Sequence, residues 1–308
     1  MSHRSTLLLS LFLGIVVFGL ATAGFYRTVV DLSTPYPEDV PLYERAGSAA
    51  LGDTVHVGVI SRYPPSVIYS GYQPLLDYLT ESTGRYFALR LSGSYEETVR
   101  QLVDGRVAVA FLGAYLYLKA HAEHGILSVV QPLNDDGTPG FRSALITSQH
   151  SEITSISDLA GRRLALPPEL SFSAVWLLMQ VLPSAELDVA SVGSARYLPH
   201  HHAVVYEVLR GHADAGVVKD RVAREFLGRG VRVVATSDPI PGGPLVVPAE
   251  HDPELVEAIT RALLAIDPAK PEFASRTARW DPEFAHGFVV ARDSDYDGLR
   301  AMLGLLPS

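Results

Sequence analysis

The sequence predicts an α/β protein whose folded part consists of two lobes. Its 308 residues, 47% of them hydrophobic, exceed one typical domain. From Thr54 onward, short apolar runs alternate with amphipathic stretches that end in glycine, which is the pattern of an α/β domain. Residues 99–110 resemble residues 205–216, because each segment contains a helix end, a glycine and a buried strand. This internal repeat favours two similar lobes that share a cleft.

Residues 1–27 are predicted to be a targeting element. His3 and Arg4 precede an uncharged apolar run that is just long enough to cross a bilayer as a helix. Ala21-Thr22-Ala23 also fits the cleavage site of a secretory signal peptide. Both interpretations export the rest of the chain, and the length of the run favours a retained inner-membrane anchor over residues 6–25. Residues 28–52, which contain Pro35, Pro37 and Pro41, are predicted to be a linker.

The first lobe is predicted from the elements that follow the linker. Its strands are expected at residues 55–60, 86–91 and 107–112. Helical spacing of leucines predicts a helix over residues 72–83. Ser94 followed by Glu97 forms a capping box, which predicts a second helix that ends near Gly105.

The chain is predicted to cross between the lobes twice. A strand over residues 142–147 leaves the first lobe, and the Pro- and Gly-rich residues 239–244 return to it. Lobe 1 is therefore assigned to residues 53–144 plus 245–308, and lobe 2 to residues 145–244. Two crossings imply a hinge. Amphipathic helices are expected at residues 253–266 and 293–306, and the second should pack back on lobe 1.

Composition excludes several classes of function. The formal net charge of -9 and the absence of a basic run argue against a nucleic-acid partner. An anionic ligand remains compatible with this charge, because local donors govern a site. The chain has no cysteine, which excludes disulfides, thiolate catalysis and cysteine-ligated zinc. We expect no cofactor.

Ser171-Phe172-Ser173 is a candidate anion-binding turn. It follows a predicted strand over residues 163–166 and opens an apolar helix. The first N–H groups of a helix and its positive dipole end suit an anion. The alternative is that Ser171 or Ser173 simply caps the helix.

Three consecutive histidines, His200 to His202, follow about thirty residues later and could supply donors from across a cleft. Neighbouring residues on a helix do not share a face, so the three histidines are not expected to bind one metal ion.

Two further predictions concern aromatic residues and catalysis. Tyr115 and Tyr117 lie two apart at a predicted strand end, hence on the same side of it. Ser171 or Ser173 with His201 and Asp214 would supply the residue types of a hydrolase. However, the chain lacks a Gly-x-Ser-x-Gly elbow, a Walker loop and a His-Glu-x-x-His motif, so we do not expect an enzyme.

Taken together, the motifs resemble one known family across roughly residues 55–303. The matching pieces are Tyr72-Gln73-Pro74-Leu75-Leu76-Asp77-Tyr78-Leu79, residues 110–117, residues 156–163, the serine turn, residues 201–216 and Ile240-Pro241-x-x-Pro244. Their order and spacing resemble those of the PhnD-like periplasmic solute-binding proteins of phosphate, phosphite and phosphonate ABC transporters. The resemblance implies a type II periplasmic-binding-protein fold, in which two α/β lobes close over a small ligand.

The resemblance also implies ligand-binding residues. The family's Ser-Thr-Ser-Gly turn falls on Ser171-Phe172-Ser173-Ala174, and its cleft histidine on His201. Tyr117, with Tyr115 nearby, corresponds to the aromatic residue of a strand end, and Tyr72 to an aromatic that can face the cleft. Four positions depart from the family pattern: Phe172 replaces a threonine, Ala174 replaces a glycine, and His202 and Gly243 each replace an aspartate.

The function implied is that of a periplasmic solute-binding protein. It would capture a small oxyanion, such as a phosphonate, phosphite or phosphate-like solute, and deliver it as a monomer to an ABC transporter permease. The alternative is a membrane-tethered sensing module with a diverged ligand, which would signal to a membrane sensor kinase if the N-terminal helix is retained.

Overall fold

The structure, a computed structural model, describes residues 54–61, 63 and 65–305. The predicted signal peptide or anchor over residues 1–27 and the linker over residues 28–52 lie outside the described residues. Within the described part, no helix has both the length and the apolar character needed to cross a bilayer.

Eleven strands and ten α-helices are found among these residues. The strands are β1 (Thr54–Val59), β2 (Tyr86–Leu91), β3 (Val109–Phe111), β4 (Leu127–Pro132), β5 (Ser143–Ser148), β6 (Arg163–Leu166), β7 (Ser194–Tyr197), β8 (Ala215–Lys219), β9 (Val231–Thr236), β10 (Leu245–Val247) and β11 (Phe288–Val290). The helices are α1 (Pro65–Thr83), α2 (Tyr95–Val103), α3 (Ala114–His124), α4 (Phe172–Trp176), α5 (Leu182–Ser184), α6 (His201–Leu209), α7 (Asp220–Glu225), α8 (Pro253–Leu264), α9 (Pro271–Thr277) and α10 (Asp297–Met302). A π-helical turn, Leu177–Val181, joins α4 to α5.

The strands form two separate sheets. The six-stranded sheet has the order β11-β4-β10-β3-β1-β2, with β1 parallel to β2 and β3 and with β10 antiparallel to its neighbours. The five-stranded sheet has the order β7-β6-β8-β5-β9, in which β5 runs antiparallel to β8 and β9. The chain leaves the first sheet after β4 and returns at β10, so it passes between the sheets twice.

The two connecting segments lie side by side. Phe141 and Ile240 exchange both backbone hydrogen bonds, at 3.0 Å each. Gly140 has a φ of +132°, and a Cβ there would lie 2.6 Å from the Ile240 carbonyl oxygen. The close pairing of the segments therefore requires glycine at this position. The predicted lobe boundaries at 144/145 and 244/245 stay a prediction.

Local sequence explains most elements. Helix α8 begins where Asp252 accepts the N–H groups of Glu254 and Leu255, with Pro253 in its first turn. Strand β2 has the predicted bounds, whereas α1 begins seven residues before the predicted start at 72. The predicted helix over residues 293–306 is a 3₁₀ turn, Asp293–Tyr296, followed by α10.

The prediction that Tyr115 and Tyr117 share one side of a strand end is wrong. Strand β3 stops at Phe111, Gly113 is the N-cap residue of α3, and both tyrosines lie in that helix. Residues two apart on a helix point to different faces. Accordingly, Tyr117 is completely buried, whereas Tyr115 is only half-buried.

Candidate ligand-binding site

Polar side chains gather at one edge of the five-stranded sheet. Ser171 follows β6, His201 follows β7, and Lys219 ends β8. Strand β5 runs in the opposite direction, so its first residue, Ser143, pairs with Lys219 at the same edge. The carboxyl ends of parallel strands are where open α/β sheets bind ligands, because loops and helix starts converge there.

Ser171 and His201, which the sequence places in two separate turns, are neighbours. The Ser171 hydroxyl oxygen lies 3.3 Å from His201 Nε2, and both residues are buried. His201 Nδ1 accepts the backbone N–H of Lys219 at 3.1 Å. A neutral imidazole that accepts at Nδ1 carries its proton on Nε2, so His201 presents an N–H donor toward Ser171.

The Ser171 hydroxyl does not cap the helix. Ser171 is the N-cap residue of α4, yet its side chain makes no capping hydrogen bond. Its oxygen can accept the His201 Nε2 proton, which leaves its own O–H free to donate to another group. The capping interpretation thus does not account for Ser171, although ligand binding by this residue stays a prediction.

Ser173 takes part in a chain of buried serines. Its hydroxyl lies 2.7 Å from that of Ser143, and both residues are fully buried. Ser237 accepts the Ser143 backbone N–H at 2.9 Å and donates its own hydroxyl proton to the Asp238 carbonyl. If Ser143 donates to Ser173, the Ser173 hydroxyl proton is available to a ligand. The sequence did not point to Ser143 or Ser237.

Phe172 on the serine turn and Gly243 in the proline-rich segment both depart from the family pattern, and both have structural consequences. Phe172 is buried and packs edge-to-face on Phe141, with ring centroids 6.0 Å apart. This position therefore adds apolar surface where the family pattern has a hydroxyl. At Gly243, any Cβ would collide with the carbonyl oxygen of Leu112, so this backbone leaves no space for an aspartate.

His202 lies on a different side of its helix from His201. Its Nε2 is 2.8 Å from a Glu225 carboxylate oxygen, and its ring lies 5.3 Å from that of Tyr63. His200 is the N-cap residue of α6 and accepts the Ala203 N–H through Nδ1. Within the described part of the chain, no group of three His, Asp or Glu side chains is arranged to hold a metal ion.

The remaining predicted residues lie away from the serine turn. Tyr72 is buried edge-to-face between Phe111 and Phe284, at centroid distances of 5.9 and 4.8 Å. Tyr117 donates to the Asp293 carboxylate at 2.6 Å. Burial, and then this hydrogen bond, raise the pKa of Tyr117 to about 12. Direct ligand contact by either tyrosine stays a prediction, and it would require these buried side chains to be uncovered.

A cluster of buried charges joins the two sheets beside the serine turn. Lys219 Nζ lies 2.7 Å from Glu283, which belongs to the segment before β11 of the other sheet. Arg221 lies 3.4 Å from Asp281 and 3.7 Å from Glu283, and it also contacts the Tyr63 hydroxyl. We call Lys219, Arg221, Asp281 and Glu283 the inter-sheet cluster.

Part of the inter-sheet cluster lines a cavity. The cavity has a volume of about 230 Å³, and Lys219, Arg221 and Glu283 contribute to its wall together with Phe141 and Gly242. Ser171, Ser173 and His201 do not line it. It lies next to them, since the Lys219 backbone bonds to His201 and since Phe141 packs on Phe172. The sequence analysis did not single out Lys219. The signal that could have found it is a charged residue at the end of a buried strand.

Asp214 is not part of this site. It precedes β8, whereas His201 contacts Lys219, which ends β8, so Asp214 lies about 16 Å along the strand from that contact. The Asp214 carboxylate instead accepts hydrogen bonds from the Arg163 backbone and guanidinium at 2.7 to 3.2 Å. Those hydrogen bonds lower the pKa of Asp214. A Ser–His–Asp arrangement is therefore not assembled.

Comparisons with known proteins identify the family to which the chain is similar. The profile of the family described as "ABC transporter, phosphonate, periplasmic substrate-binding protein" matches residues 57–296. The phosphate-import protein PhnD of Mycolicibacterium smegmatis is 24% identical over 80% of this chain and 84% of its own length.

Two solved structures share the fold. A binding component of an ABC phosphonate transporter from Pseudomonas aeruginosa has a TM-score of 0.72 at 19% identity, with 81% of this chain and 85% of that chain covered. PhnD1 from Prochlorococcus marinus in complex with methylphosphonate also has a TM-score of 0.72, at 15% identity, with 82% and 99% covered. The two sheets thus form the α/β fold of periplasmic binding proteins.

Because the family profile covers residues 57–296 of 308, the chain belongs to this family of periplasmic substrate-binding proteins. The family resemblance inferred from the motifs is confirmed. Members of this family bind solutes for ABC transporters and are not enzymes, so the protein is a solute-binding protein rather than a catalyst.

Proposed function

We propose that this protein binds a small tetrahedral oxyanion, such as a phosphonate, phosphite or phosphate, at the edge of the five-stranded sheet that carries Ser171 and His201. The observation that carries the proposal is the contact between these two residues. They come from different turns, both are buried, and His201 is held in the tautomer that donates from Nε2.

The chemistry of this edge suits binding and release without reaction. Ser171, Ser173 and the His201 Nε2–H are neutral donors, and the first N–H groups of α4 have no acceptor within their own helix. Hydrogen bonds from such donors to anionic oxygens are stronger than bonds between neutral groups. Phe172 would give the site an apolar wall that suits an alkyl substituent.

Lobe movement would open and close this site. We assign lobe 1 to residues 53–144 plus 245–308 and lobe 2 to residues 145–244, as in a type II periplasmic binding protein. The paired segments at Phe141 and Ile240 would then be the hinge. Opening would separate Lys219 from Glu283, because Lys219 ends β8 of the five-stranded sheet and Glu283 lies in the segment before β11 of the six-stranded sheet.

Delivery to a permease of an ABC transporter follows from the family, and we propose that the exported protein acts as a monomer. Cleavage after Ala23 would release a free shuttle, whereas retention of residues 6–25 would tether it. The alternative function, a tethered sensor for a membrane kinase, has less support because the relatives named above are transport components.

The test is a thermal-shift screen of the full chain with methylphosphonate, phosphite, phosphate and sulfate. A ligand that binds only the native state stabilises it by RT ln(1 + [L]/Kd), so the melting temperature rises with the logarithm of the ligand concentration once that concentration exceeds the Kd. We expect at least one of the phosphorus oxyanions to raise it in the wild type, and His201→Ala to weaken that binding at least tenfold.

The matched control is His150→Ala, which removes an exposed histidine. It should bind like the wild type. Failure of all the oxyanions to stabilise the wild type would refute the proposed function. Equal binding by His201→Ala and wild type would refute the site.

A further inference from the structure

Two buried side chains hold the chain segment that returns to the six-stranded sheet. The N–H of Gly242, between β9 and β10, donates to Gln131 Oε1 at 3.1 Å. The Gly242 carbonyl oxygen accepts the hydroxyl proton of Tyr296 at 3.0 Å. Gln131 lies in β4, and Tyr296 lies in the 3₁₀ turn before α10. We call Gln131 and Tyr296 the Gly242 clamp, because together they bond both backbone groups of this one residue.

The Gly242 clamp is rigid because it is buried. Tyr296 is 0% exposed and Gln131 is 3% exposed. The Tyr296 ring packs against that of Tyr117, with ring centroids 4.7 Å apart. Burial raises the pKa of Tyr296, so its hydroxyl keeps the proton that it donates. Since water does not reach the groups that would lose a partner, these hydrogen bonds are costly to break, and Gly242 should move with the six-stranded sheet.

The other end of the returning segment is bonded to the five-stranded sheet. The N–H of Ser237 donates to the Ser143 carbonyl oxygen at 2.9 Å, and the Ser143 N–H donates to the Ser237 hydroxyl oxygen at 2.9 Å. The Arg142 guanidinium donates to the Ser237 carbonyl oxygen at 2.7 Å. Ser143 also bonds to Ser173, so this end of the segment should move with the serine turn.

Residues 238–241 connect the two held ends. Asp238 and Pro239 are exposed, so rotation of the backbone there disturbs little buried packing. Ile240 keeps its backbone pair with Phe141 of the outgoing segment. The chain can therefore turn at these four residues while the hydrogen bonds of both sheets stay intact.

We propose that Tyr296 and Gln131 are positioning residues for ligand capture, because they confine lobe movement to residues 238–241. The inference rests on the lobe movement of the proposed function and names the residues that guide it. With Gly242 held, each closure returns the serine turn to the same place relative to the six-stranded sheet. Without the clamp, Gly242 also moves and the lobes sample more orientations. Fewer molecules are then ready to close on a ligand, so the apparent Kd rises.

The spread of lobe orientations can be measured without any ligand. Because the chain has no cysteine, Glu152→Cys and Glu257→Cys place one spin label on each lobe at exposed positions. Double electron–electron resonance then gives the distribution of distances between the two labels. Tyr296→Phe keeps the buried ring, removes the hydroxyl and should widen this distribution at least about 1.5-fold.

The same substitution should weaken ligand binding. Calorimetric titration measures the Kd of whichever of methylphosphonate, phosphite and phosphate binds the wild type. We expect Tyr296→Phe to raise this Kd at least about threefold, because a smaller fraction of the free protein is ready to close.

Gln131→Met tests the other half of the clamp. It keeps an unbranched side chain of similar length and removes the acceptor of the Gly242 N–H. It should widen the distribution and raise the Kd in the same direction as Tyr296→Phe. Thermal unfolding identifies a variant that fails to fold, and the other variant then carries the test.

Tyr78→Phe is the matched control. The Tyr78 hydroxyl also donates from a buried side chain to a backbone carbonyl oxygen, that of Ala262, at 2.7 Å. This hydrogen bond joins α1 to α8, away from the returning segment. Its loss should reduce stability, yet it should leave the distance distribution and the Kd at their wild-type values. A purely structural role of Tyr296 would give the same result as this control.

The outcomes separate the clamp inference from the proposed function. The inference is overturned if the clamp variants that fold keep a distribution as narrow as that of the wild type, or if Tyr78→Phe widens it equally. A wider distribution with an unchanged Kd would overturn the role in ligand capture. Failure of every screened oxyanion to bind the wild type would refute the proposed function instead, and the widths measured without ligand would still decide whether the clamp confines lobe movement.

Discussion

Hydroxyl, imidazole and ammonium groups lie at one edge of the five-stranded sheet, whereas aromatic rings pack on one another beside β3 of the six-stranded sheet. On the first side, Ser171 lies next to His201 and Lys219 follows at the end of β8. On the second side, Tyr72 and Phe111 enclose Phe284, and the acidic residues Asp281 and Glu283 precede that ring. One half therefore provides hydrogen-bond donors, and the other provides packing and counter-charges.

This difference predicts which substitutions should reduce the stability of the fold and which should reduce the affinity for the ligand. Changes on the aromatic side should reduce the stability of the fold, because those rings are buried among one another. Changes at Ser171 and His201 should mainly reduce affinity for the ligand. A result in which both sides affect both properties equally would remove the distinction.

The largest effect is expected at Phe284. Its ring centroid lies 4.7 Å from Phe111 and 4.8 Å from Tyr72, and the side chain is 1% exposed. Phe284→Ala should lower the free energy of unfolding by about 3–5 kcal/mol through lost burial and a residual cavity. Urea unfolding measures this loss. Tyr69→Ala, which removes an exposed ring from α1, is the control and should change stability by less than about 0.5 kcal/mol.

Ser143→Ala tests the hydroxyl side directly, because it removes the hydrogen-bond partner of Ser173. The two hydroxyls are 2.7 Å apart and fully buried, so the loss should cost about 1–3 kcal/mol of unfolding free energy. It should also weaken oxyanion binding, since Ser173 would no longer be oriented. Ser171→Ala should weaken binding with a smaller change in stability. Affinity unchanged in both variants would contradict a role for the serine turn in binding.

Tyr117→Phe tests the side of the six-stranded sheet with a smaller expected loss of stability than Phe284→Ala. Removing its hydrogen bond to Asp293 should cost about 1 kcal/mol near neutral pH, because the Asp293 side chain is 45% exposed and partly solvated. Affinity measured on the same samples tests the predicted ligand contact of Tyr117. Weaker oxyanion binding would support that contact.

The raised pKa of Tyr117 predicts that the free energy of unfolding depends on pH. The pKa of Tyr117 is raised from 10.0 to about 12 in the folded protein, so between these values the folded state keeps a proton that the unfolded chain releases. The free energy of unfolding should therefore fall as the pH rises from 10 to 12. The fall should be smaller in Tyr117→Phe. Parallel stability curves for the two proteins would show that Tyr117 does not contribute.

Much of the fold could be predicted because its signals are local. Strand β2 and strand β6 have the predicted bounds, since apolar runs and flanking turns define them. Strand β4 was not predicted, because Ser128 and Gln131 interrupt its apolar residues. Tyr115 and Tyr117 were assigned to a strand end because the sequence does not show that Gly113 begins a helix so soon after β3.

The site was only partly predictable, because only some of its contacts follow from local patterns in the sequence. Ser171 and His201 each follow a strand of one sheet, and the rule for strand ends is enough to bring them together. The contact of Lys219 with Glu283 joins the end of β8 to the segment before β11, 64 positions apart, so it depends on how the two sheets pack. No local pattern contains that information.

The most direct measurement is a crystal structure of the protein soaked with the oxyanion that gives the largest thermal shift. The account predicts a tetrahedral anion within hydrogen-bond distance of the Ser171 hydroxyl and His201 Nε2, with the ligand chemically unchanged. An anion bound elsewhere, with the contact between Ser171 and His201 undisturbed, would contradict it.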